Sequence, residues 1–543
     1  MKNNIFKIGI LFASAVTGLV SCTKDLNRTP ANTEFTRSVY STAAGYKQSL
    51  ATAYSAYQMT SAGGASGTST IAGVDGGTSD FLRCLFNTQE LPTDEAVCAW
   101  NDPGVPDFHN MNWTSANKIL VGLYSRSLYQ ITLCNSFIQQ CNTSAYTSNG
   151  ISASDTATLN QYKAEARFLR AYQYSVLMDA FGNPPFATDS SAIGPLSFPR
   201  QISRSDLFKY IESELLSCSQ SMVAPRQNEY GRADQGTAWA LLARLYLNAQ
   251  VYTGTPRYTD AITYASKVIN AGYSLMQNYA NLFKADNNVN NSEFILAIPY
   301  DGLNTQTFGG TTFLINSACN NSTYTSGSAG YTMKSADYGV PRGGWAGNRS
   351  TANLPKLFPS PDTTIDKRGI FLNTLGVTST ITSVSQFNQG IPVVKFTNMT
   401  SAGTQAEPAA GGIFCSTDFP LFRLAEQYLI YAEAVLRGGS GGDMTTALGY
   451  INLLRLRAYG NANGNLVVIS LQDIINERGR ELYWEGFRRT DLIRFNQFTS
   501  GSYLWPWKGG VASGTGVDSH YSLYPLPSTD LQVNSNLKQN TGY

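Results

Sequence analysis

Apolar residues recur at helical spacing in seven separated blocks of this chain. Residues three or four positions apart share one face of a helix, and Tyr46, Leu50 and Tyr54 form such a stripe. The blocks cover residues 45–59, 116–140, 162–182, 239–246, 258–272, 421–437 and 445–460. The third block ends in "GNPP", a glycine and two prolines that terminate helices. The pattern predicts a mainly α-helical protein.

The block over 239–246 reads W-x2-L-A-x2-Y, close to the W-x2-L-G-x2-Y of the first helix of a tetratricopeptide repeat. Ala243 replaces the small glycine and still permits close packing of helices. The next block has Ala261 and Ala265 at the four-residue spacing that a packed second helix needs. We therefore predict tetratricopeptide-like helical hairpins packed side by side, interrupted by long insertions.

The insertions near residues 60–115 and 300–415 are rich in Gly, Ser, Thr and Asn. Short strand-like runs, "FILAIPY" and "IPVVKF", lie in or beside the second insertion. Long loops on a rigid scaffold usually carry binding residues. The predicted fold is a helical hairpin scaffold with loop-rich, ligand-binding insertions and a few short strands.

The first 22 residues have the pattern of an export signal. Lys2 and Lys7 precede an apolar run that is too short to span a bilayer and that ends in "LVSC" at Cys22. This looks like a bacterial lipobox. It predicts that residues 1–21 are a signal peptide and that Cys22 carries acyl chains such as palmitate. The alternative is an ordinary secretory signal with an incidental cysteine.

The charge balance excludes some classes of partner. With 39 basic and 37 acidic residues the net charge is +2, which does not indicate nucleic-acid binding. Charged residues make up only 14% of the chain and aromatic residues 12%. A neutral polar surface rich in aromatic rings suits neutral ligands, although a large protein also buries many tyrosines.

The cysteines and histidines predict neither a metal site nor a cofactor. The chain has eight cysteines, of which seven remain if Cys22 is acylated, and their spacing does not assign disulfide pairs. With only two histidines, a Cys/His zinc site is not expected.

Six ordered blocks resemble the SusD/RagB family of outer-membrane nutrient-binding lipoproteins. They read "CTKDLNRTP", "EARFLRAYQYSVLMDAFGNPPF", "GRADQGTAWALLARLYLNA", "FRLAEQYLIYAEA" with "YINLLRLRA", "INERGRELYWEGFRRTDLIRF", and "YPLPSTDL" with "KQNTGY". The resemblance runs nearly end to end. It implies that residues 22–543 are one SusD-like domain containing four tetratricopeptide-like units.

The resemblance also implies a function at the cell surface. Members bind oligosaccharides or polysaccharides at the outer membrane and pass them to a SusC-like TonB-dependent β-barrel transporter, over which they sit as a lid. The RagB branch handles peptides, so a peptide-binding uptake lipoprotein is the alternative. Either implies a binding protein and not an enzyme.

A third reading is a glycoside hydrolase that uses Glu477, Glu481 and Glu485, which are spaced four residues apart. Two such residues on a helix have Cβ atoms about 6 Å apart, which is within loose range for paired carboxylates. Neighbouring arginines should keep them ionised, however, and a general acid needs a raised pKa. An Arg/Glu network that joins helices is the favoured interpretation.

Two loop segments have the residue types of a sugar site, in which aromatic rings stack on C–H faces and polar groups meet hydroxyls. The first supplies Trp100, Asn101 and Asp102, and the second supplies Tyr331, Tyr338, Arg342 and Trp345. We predict the two tryptophans as stacking platforms, the tyrosines as secondary surfaces and the other residues as hydroxyl partners. Glycines around Trp345 are expected to leave its ring uncovered. The alternative is that some of these aromatic residues pack the loops onto the scaffold.

Asp94 and Glu95 lie beside a loop and are candidates to bind a sugar hydroxyl or Ca²⁺. Capping of a helix by Thr93 or Asp94 is the preferred interpretation of this segment.

Overall fold

A computed structural model describes residues 39–191, 197–321, 323–326, 329–360, 362–372, 378–406 and 412–543, with backbone only for 323–326 and 329–332. This part of the chain contains sixteen α-helices. They are α1 Ala43–Ser55, α2 Phe81–Gln89, α3 Pro106–Asn110, α4 Lys118–Gln139, α5 Thr143–Asn149, α6 Thr156–Phe181, α7 Arg204–Ser219, α8 Gln235–Leu247, α9 Ala249–Thr253, α10 Tyr258–Ile269, α11 Gly310–Ser317, α12 Leu424–Leu436, α13 Met444–Tyr459, α14 Leu471–Leu482, α15 Arg488–Arg494 and α16 Ser528–Val533. The predicted mainly α fold is confirmed.

The long helices form one line of packed neighbours that follows the chain. α4 packs on α6, α6 on α7, α7 on α8, α8 on α10, and α10 on α12. α12 then packs on both α13 and α14. Such stacking of successive hairpins is the arrangement of a helical repeat scaffold.

The tetratricopeptide-like positions lie where helix packing requires them. Ala243 on α8 and both Ala261 and Ala265 on α10 are fully buried, so the two helices meet through small residues. Further along the scaffold, the rings of Tyr428 and Tyr450 stack between α12 and α13, with centroids 4.6 Å apart. The predicted side-by-side hairpins are confirmed.

The helix predicted over 421–437 begins later than expected, because its first residues form a strand. Strand β8 (Phe419–Arg423) pairs antiparallel with β4 (Phe294–Ile298), and α12 follows at Leu424. This pairing joins segments more than a hundred residues apart, which local periodicity does not reveal. It also confirms the strand predicted from "FILAIPY".

The other strands are short pairs in the loop regions. They are β1 Val97–Cys98 with β7 Asn348–Arg349, β2 Pro185–Phe186 with β3 Arg200–Gln201, and β5 Thr323–Ser326 with β6 Ala329–Thr332. The strand predicted from "IPVVKF" is wrong. That segment makes isolated bridges, of Ile391 with Ser350 and of Val393 with Phe371.

One large hydrophobic core runs through the scaffold and into both insertions. The seven cysteines from Cys84 onward are all buried and unpaired by disulfides. Within the described ranges, no helix is both long and apolar enough to cross a bilayer. The predicted signal peptide and Cys22 lie outside the described residues.

Candidate functional site

The two loop segments predicted to form a site meet through a short antiparallel ladder. Strand β1 ends two residues before Trp100, and β7 directly follows Gly347. The ladder continues past β1, since the Ala99 amide donates to the Gly347 carbonyl at 2.8 Å. Segments about 245 residues apart in sequence are thus joined at the two predicted tryptophans.

The indole rings of Trp100 and Trp345 are adjacent and tilted relative to each other. Their centroids are 6.5 Å apart and their planes are inclined by 45°. The Trp100 indole N–H donates to the Trp345 carbonyl at 2.9 Å. This bond fixes the orientation of one ring relative to the loop that carries the other.

The loop that carries Trp345 is held against the C-terminal end of α11. The Trp345 amide donates to the Asn316 carbonyl at 2.6 Å, and the Gly347 amide donates to the Ser317 carbonyl at 2.8 Å. Carbonyls at a helix C-terminus lack intrahelical partners, so the loop satisfies groups that otherwise need water. Trp345 therefore sits on a rigid element.

Glycine is required at two points of this contact. A Cβ atom on Gly347 would lie 2.6 Å from the Trp100 ring, and a Cβ atom on Gly344 would lie 1.8 Å from the Cys319 carbonyl oxygen. Both distances are below any real carbon contact. The glycines around Trp345 thus permit close packing of the loop. They do not leave the Trp345 ring uncovered, although their number in the sequence predicts that they would.

Trp345 is in fact half-buried, because Phe308 covers part of it. The two ring centroids are 6.3 Å apart, and Phe308 in turn contacts Phe414 at 5.5 Å. Trp100, Trp345, Phe308 and Phe414 form a continuous row of four half-buried rings, here called the aromatic row. Successive planes are inclined by 45°, 53° and 47°, so the row does not lie flat. Phe308 and Phe414 had no signal in the sequence that distinguished them from core residues.

Arg83 on α2 is a third residue near the tryptophans that the sequence did not reveal. Its guanidinium carbon lies 5.5 Å from the centroid of the Trp100 ring and 4.9 Å from that of Phe313. α2 is aligned with α11 by Asp80, which caps α2 and also accepts from the Gly310 amide at 2.8 Å. Arg83 sits in an ordinary amphipathic helix, so only the tertiary structure shows that it faces the tryptophans.

A polar cleft of about 210 Å³ adjoins Trp100. Its charged lining residues are Asp75, Arg83, Asp102 and Lys118. Burial raises the pKa of the Asp75 carboxyl, but hydrogen bonds from Thr78 and the nearby Arg83 charge outweigh it, and the net direction is downward. The cleft therefore presents an ionised carboxylate beside an arginine. Both are suitable partners for hydroxyl groups.

The remaining predicted residues differ in accessibility. Asn101, Asp102 and Arg342 are exposed, and Asp102 also lines the polar cleft. Tyr338 is half-buried at the end of a 3₁₀ turn. Tyr331 pairs with Tyr324 in the β5–β6 hairpin, but its side chain lies outside what the structure describes. The role of each of these residues in binding stays a prediction.

Trp113 packs a loop onto the rest of the fold. Trp113 is buried, and its indole N–H donates to the Tyr543 hydroxyl at 2.7 Å.

The capping role expected for Thr93 or Asp94 is wrong. Asp94 is buried and paired with Arg488 at 2.7 Å, and Glu95 accepts from the Trp484 amide at 3.1 Å.

The Glu477, Glu481 and Glu485 cluster is a buried ion network. Glu477 pairs with Arg368 at 2.7 Å, and Glu481 pairs with Arg423 at 2.6 Å. The other cations of the network are Arg455, Arg457, Arg480 and Lys395. Most of these cations lie far from 477–485 in sequence. Of the arginines next to the motif, Arg480 pairs with these carboxylates. Glu485 also lies beyond the end of α14, so the three residues do not share one helix.

The electrostatics of this network oppose acid catalysis. Burial would raise the pKa of Glu477, but Arg368, Arg480 and Arg455 outweigh it and lower the pKa to about 2. Arginines lower the pKa of Glu481 in the same way, against the effect of burial. Both side chains are at most 1% exposed. They are ionised and out of reach of a substrate, and the Arg/Glu network expected from the sequence is confirmed.

No group of three or more His, Cys, Asp or Glu side chains in the described ranges is arranged to hold a metal ion.

Nearly the whole chain is similar in sequence to proteins of the SusD family. The model of the SusD family matches residues 360–543. Starch-binding protein SusD of Bacteroides thetaiotaomicron is 35% identical over 574 aligned positions, which cover 98% of each chain. A SusD-like protein of Bacteroides ovatus is 27% identical over 75% of this chain and 70% of its own.

Solved structures share the fold. Surface glycan-binding protein A of Bacteroides thetaiotaomicron, in complex with laminarihexaose, has a TM-score of 0.68 and 20% identity, and the match covers 92% of this chain and 99% of that one. The homologous protein A of Bacteroides fluxus has a TM-score of 0.67 at 20% identity, with the same coverage.

Proposed function

This chain belongs to the SusD family, and on that premise we propose that it is a surface lipoprotein that binds a glycan and hands it to a SusC-like TonB-dependent transporter. The domain would span residues 22–543, with binding in the loop-rich insertions. The proposed contacts are the aromatic row and the polar cleft beside it.

The single observation that carries the proposal is the pairing of Trp100 with Trp345. The faces of sugar rings carry C–H groups that stack on aromatic rings. Two adjacent tryptophans inclined by 45° would offer the outer faces of their rings to a chain that bends along them. Arg83, Asp75 and Asp102 lie at one end of the row and supply charged partners for hydroxyls. An aromatic surface flanked by polar groups is the general form of a small-ligand site.

We propose a glucan as the first substrate class to test. The 35% identical relative is named for binding starch, and a structural neighbour was solved with laminarihexaose. The inclined rings favour a curved chain over a flat one. A peptide is the competing ligand, and the ligand screen below distinguishes it from a glucan.

Binding without catalysis fits the chemistry of the site. The carboxylates considered for hydrolysis are buried in the ion network. The cleft carboxylate Asp75 has a lowered pKa, because hydrogen bonds from Thr78 and the Arg83 charge outweigh its burial, so it is ionised and unsuited to act as a general acid.

A ligand screen tests the proposal. Purified protein is titrated calorimetrically with starch oligosaccharides, laminarin oligosaccharides, unrelated glycans and a mixed peptide library. Binding of a glucan but not of peptides is expected, and it should weaken in Trp100→Ala. Trp239→Ala, which removes a half-buried tryptophan on α8, is the matched control. Binding of peptides alone would overturn the proposal in favour of the RagB-like alternative.

Delivery to a transporter is tested separately, in native membranes. Detergent-solubilised protein should co-purify with an outer-membrane β-barrel protein, because a lid needs a broad contact with the barrel. A pulldown that recovers no barrel protein would contradict this part of the proposal while leaving glycan binding intact.

A further inference from the structure

A second cavity, separate from the aromatic row, lies between α1, α6 and the β4–β8 ladder. Its volume is about 220 Å³. α1 contributes Leu50 and Tyr54, α6 contributes Phe168, and the strands contribute Leu296 and Leu421. Apart from Tyr54, which is partly exposed, each of these side chains is at least 94% buried, so the walls belong to the protein core.

The polar groups of the lining are engaged with protein partners. The Tyr54 hydroxyl donates to Glu165 at 2.7 Å and accepts from the Ala233 amide at 2.9 Å. The Gln58 amide donates to the Pro299 carbonyl at 2.7 Å. All lining residues are described, and none of them has a buried side-chain polar atom without a hydrogen-bond partner. The inner walls formed by Leu50, Phe168, Leu296 and Leu421 offer no polar side-chain group to water, which needs two to four polar partners.

The rim carries two opposite charges that pair with each other. Lys47 on α1 and Glu229 in the loop before α8 are 2.6 Å apart, and their side chains are 46% and 59% exposed. Exposed ion pairs contribute little to stability. Entry past this pair is therefore cheap. Arg232 also lines the cavity, but it is paired with Glu165 at 2.6 Å, so no unpaired charge selects a charged ligand.

We infer that this cavity binds a small uncharged hydrocarbon group, of the size of a benzene ring or a short alkyl chain. An apolar cavity of about 150 Å³ lined by aliphatic and aromatic side chains stays dry and takes up benzene. The inner walls here are of the same kind, while the mouth beside Ala51, Lys47 and Glu229 is open to solvent. A sugar is a poor occupant of the inner part, because its hydroxyls would meet aliphatic and aromatic walls in place of hydrogen-bond partners. The inference is thus independent of the glycan site.

Fluorobenzene is the probe. Its binding is measured by ¹⁹F NMR of the ligand and by the melting temperature of the protein. Wild-type protein should broaden the fluorine signal in a saturable way that excess benzene reverses, and the ligand should raise the melting temperature. Ala51→Trp fills the cavity from its exposed side, since Ala51 lines it but lies on the surface of α1. The adjacent Thr52→Trp is the control, because Thr52 is exposed and does not line the cavity.

Loss of at least tenfold in fluorobenzene affinity is expected in Ala51→Trp but not in Thr52→Trp, with glucan binding unchanged in both. No saturable broadening with wild-type protein would overturn the inference, as would equal binding by the two variants. A crystal soaked in iodobenzene is the second measurement. Iodine should appear between Leu50 and Phe168, and iodine found only elsewhere would also overturn the inference.

Discussion

The indole N–H of Trp100 donates a 2.9 Å hydrogen bond to the backbone carbonyl of Trp345. Each tryptophan belongs to a different insertion of the helical scaffold, and the bond makes their geometry interdependent. The Trp100 side chain thus contributes a ring and a hydrogen-bond donor that fixes this ring against the other loop. Trp345 accepts through its backbone, so its side chain contributes only a ring. The proposed site depends on this relationship.

Gly347→Ala should weaken glucan binding without changing either tryptophan. The new Cβ atom would come within 2.6 Å of the Trp100 ring and push it from its place. We expect a loss of several-fold in affinity, measured by calorimetric titration. Gly449→Ala on α13 is the control, because no atom lies within 4 Å of its Cβ position. A helical glycine replaced by alanine should leave affinity unchanged and stabilise the fold by about 0.5–1 kcal/mol. Equal affinities of wild type and Gly347→Ala would show that the position of Trp100 is unimportant.

Glu481→Gln should destabilise the protein strongly. Glu481 accepts from Arg368, Arg423 and Arg457 inside the core, and the amide would leave these cations without their shared carboxylate. Removing one partner of a buried network costs about 3–5 kcal/mol, which denaturant unfolding measures. Glu229→Gln, at an exposed ion pair, should cost less than about 1 kcal/mol. Glycan cleavage by wild-type protein that disappears in a folded Glu481→Gln variant would instead support the hydrolase reading.

Glu90 should make the protein less stable as the pH rises from about 4.5 to 7. Burial raises the pKa of Glu90 from 4.5 to about 7, although the amides of Gly486 and Phe487 favour its charged form. The folded state therefore keeps a proton that the unfolded chain releases in this range, so the stabilisation is complete below pH 4.5 and lost above pH 7.

The comparison that isolates this effect is wild type against Glu90→Gln, with the free energy of unfolding measured at pH 4.5 and 7.5. Other groups contribute with the opposite sign, since burial lowers the pKa of His109 to about 4. The contribution of His109 cancels in the difference between the two proteins. Glu95 does not cancel, because burial and the neighbouring Glu90 carboxyl raise its pKa, so the difference reports the Glu90–Glu95 pair. The variant should lose less stability, or gain more, on going to pH 7.5. Parallel pH profiles would contradict the assignment.

Acylation of Cys22 is predicted from the lipobox. Cells that express the full-length protein and are fed a clickable fatty acid should label it, and Cys22→Ala should abolish the label. Cys415→Ala is a suitable control, because that cysteine is buried in the folded protein. Label retained by Cys22→Ala would refute the lipoprotein prediction.

The helical scaffold was predictable because its signals are local. The block over 162–182 ended at the expected glycine, and the small residues Ala243, Ala261 and Ala265 lie at the packed interface of two helices. The strand over 419–423 was missed, since its hydrogen bonds go to residues 294–298 and not to neighbours in sequence. Non-local pairing leaves no periodic trace in one segment.

The candidate site was predictable only in part, for the same reason. Composition singled out Trp100 and Trp345 because large rings in polar, glycine-rich loops are unusual. Arg83 and Phe308 were not found, because one lies in a helix and the other is a phenylalanine in a polar loop, where nothing local distinguishes a binding residue from one that packs the loop. Their role depends on α2 and α11 meeting at Asp80. That contact joins residues more than two hundred positions apart.

Titration of Trp345→Ala with the glucan found by the ligand screen tests the central claim most directly. Stacking on an exposed ring is worth about 1–3 kcal/mol, by analogy with base stacking, and about 1.4 kcal/mol corresponds to tenfold in affinity. We expect a loss of about tenfold, with a melting temperature close to that of wild type because the ring is only half-buried. Trp239→Ala should bind as wild type does. Unchanged affinity in a folded Trp345→Ala protein would contradict the account and remove Trp345 from the site.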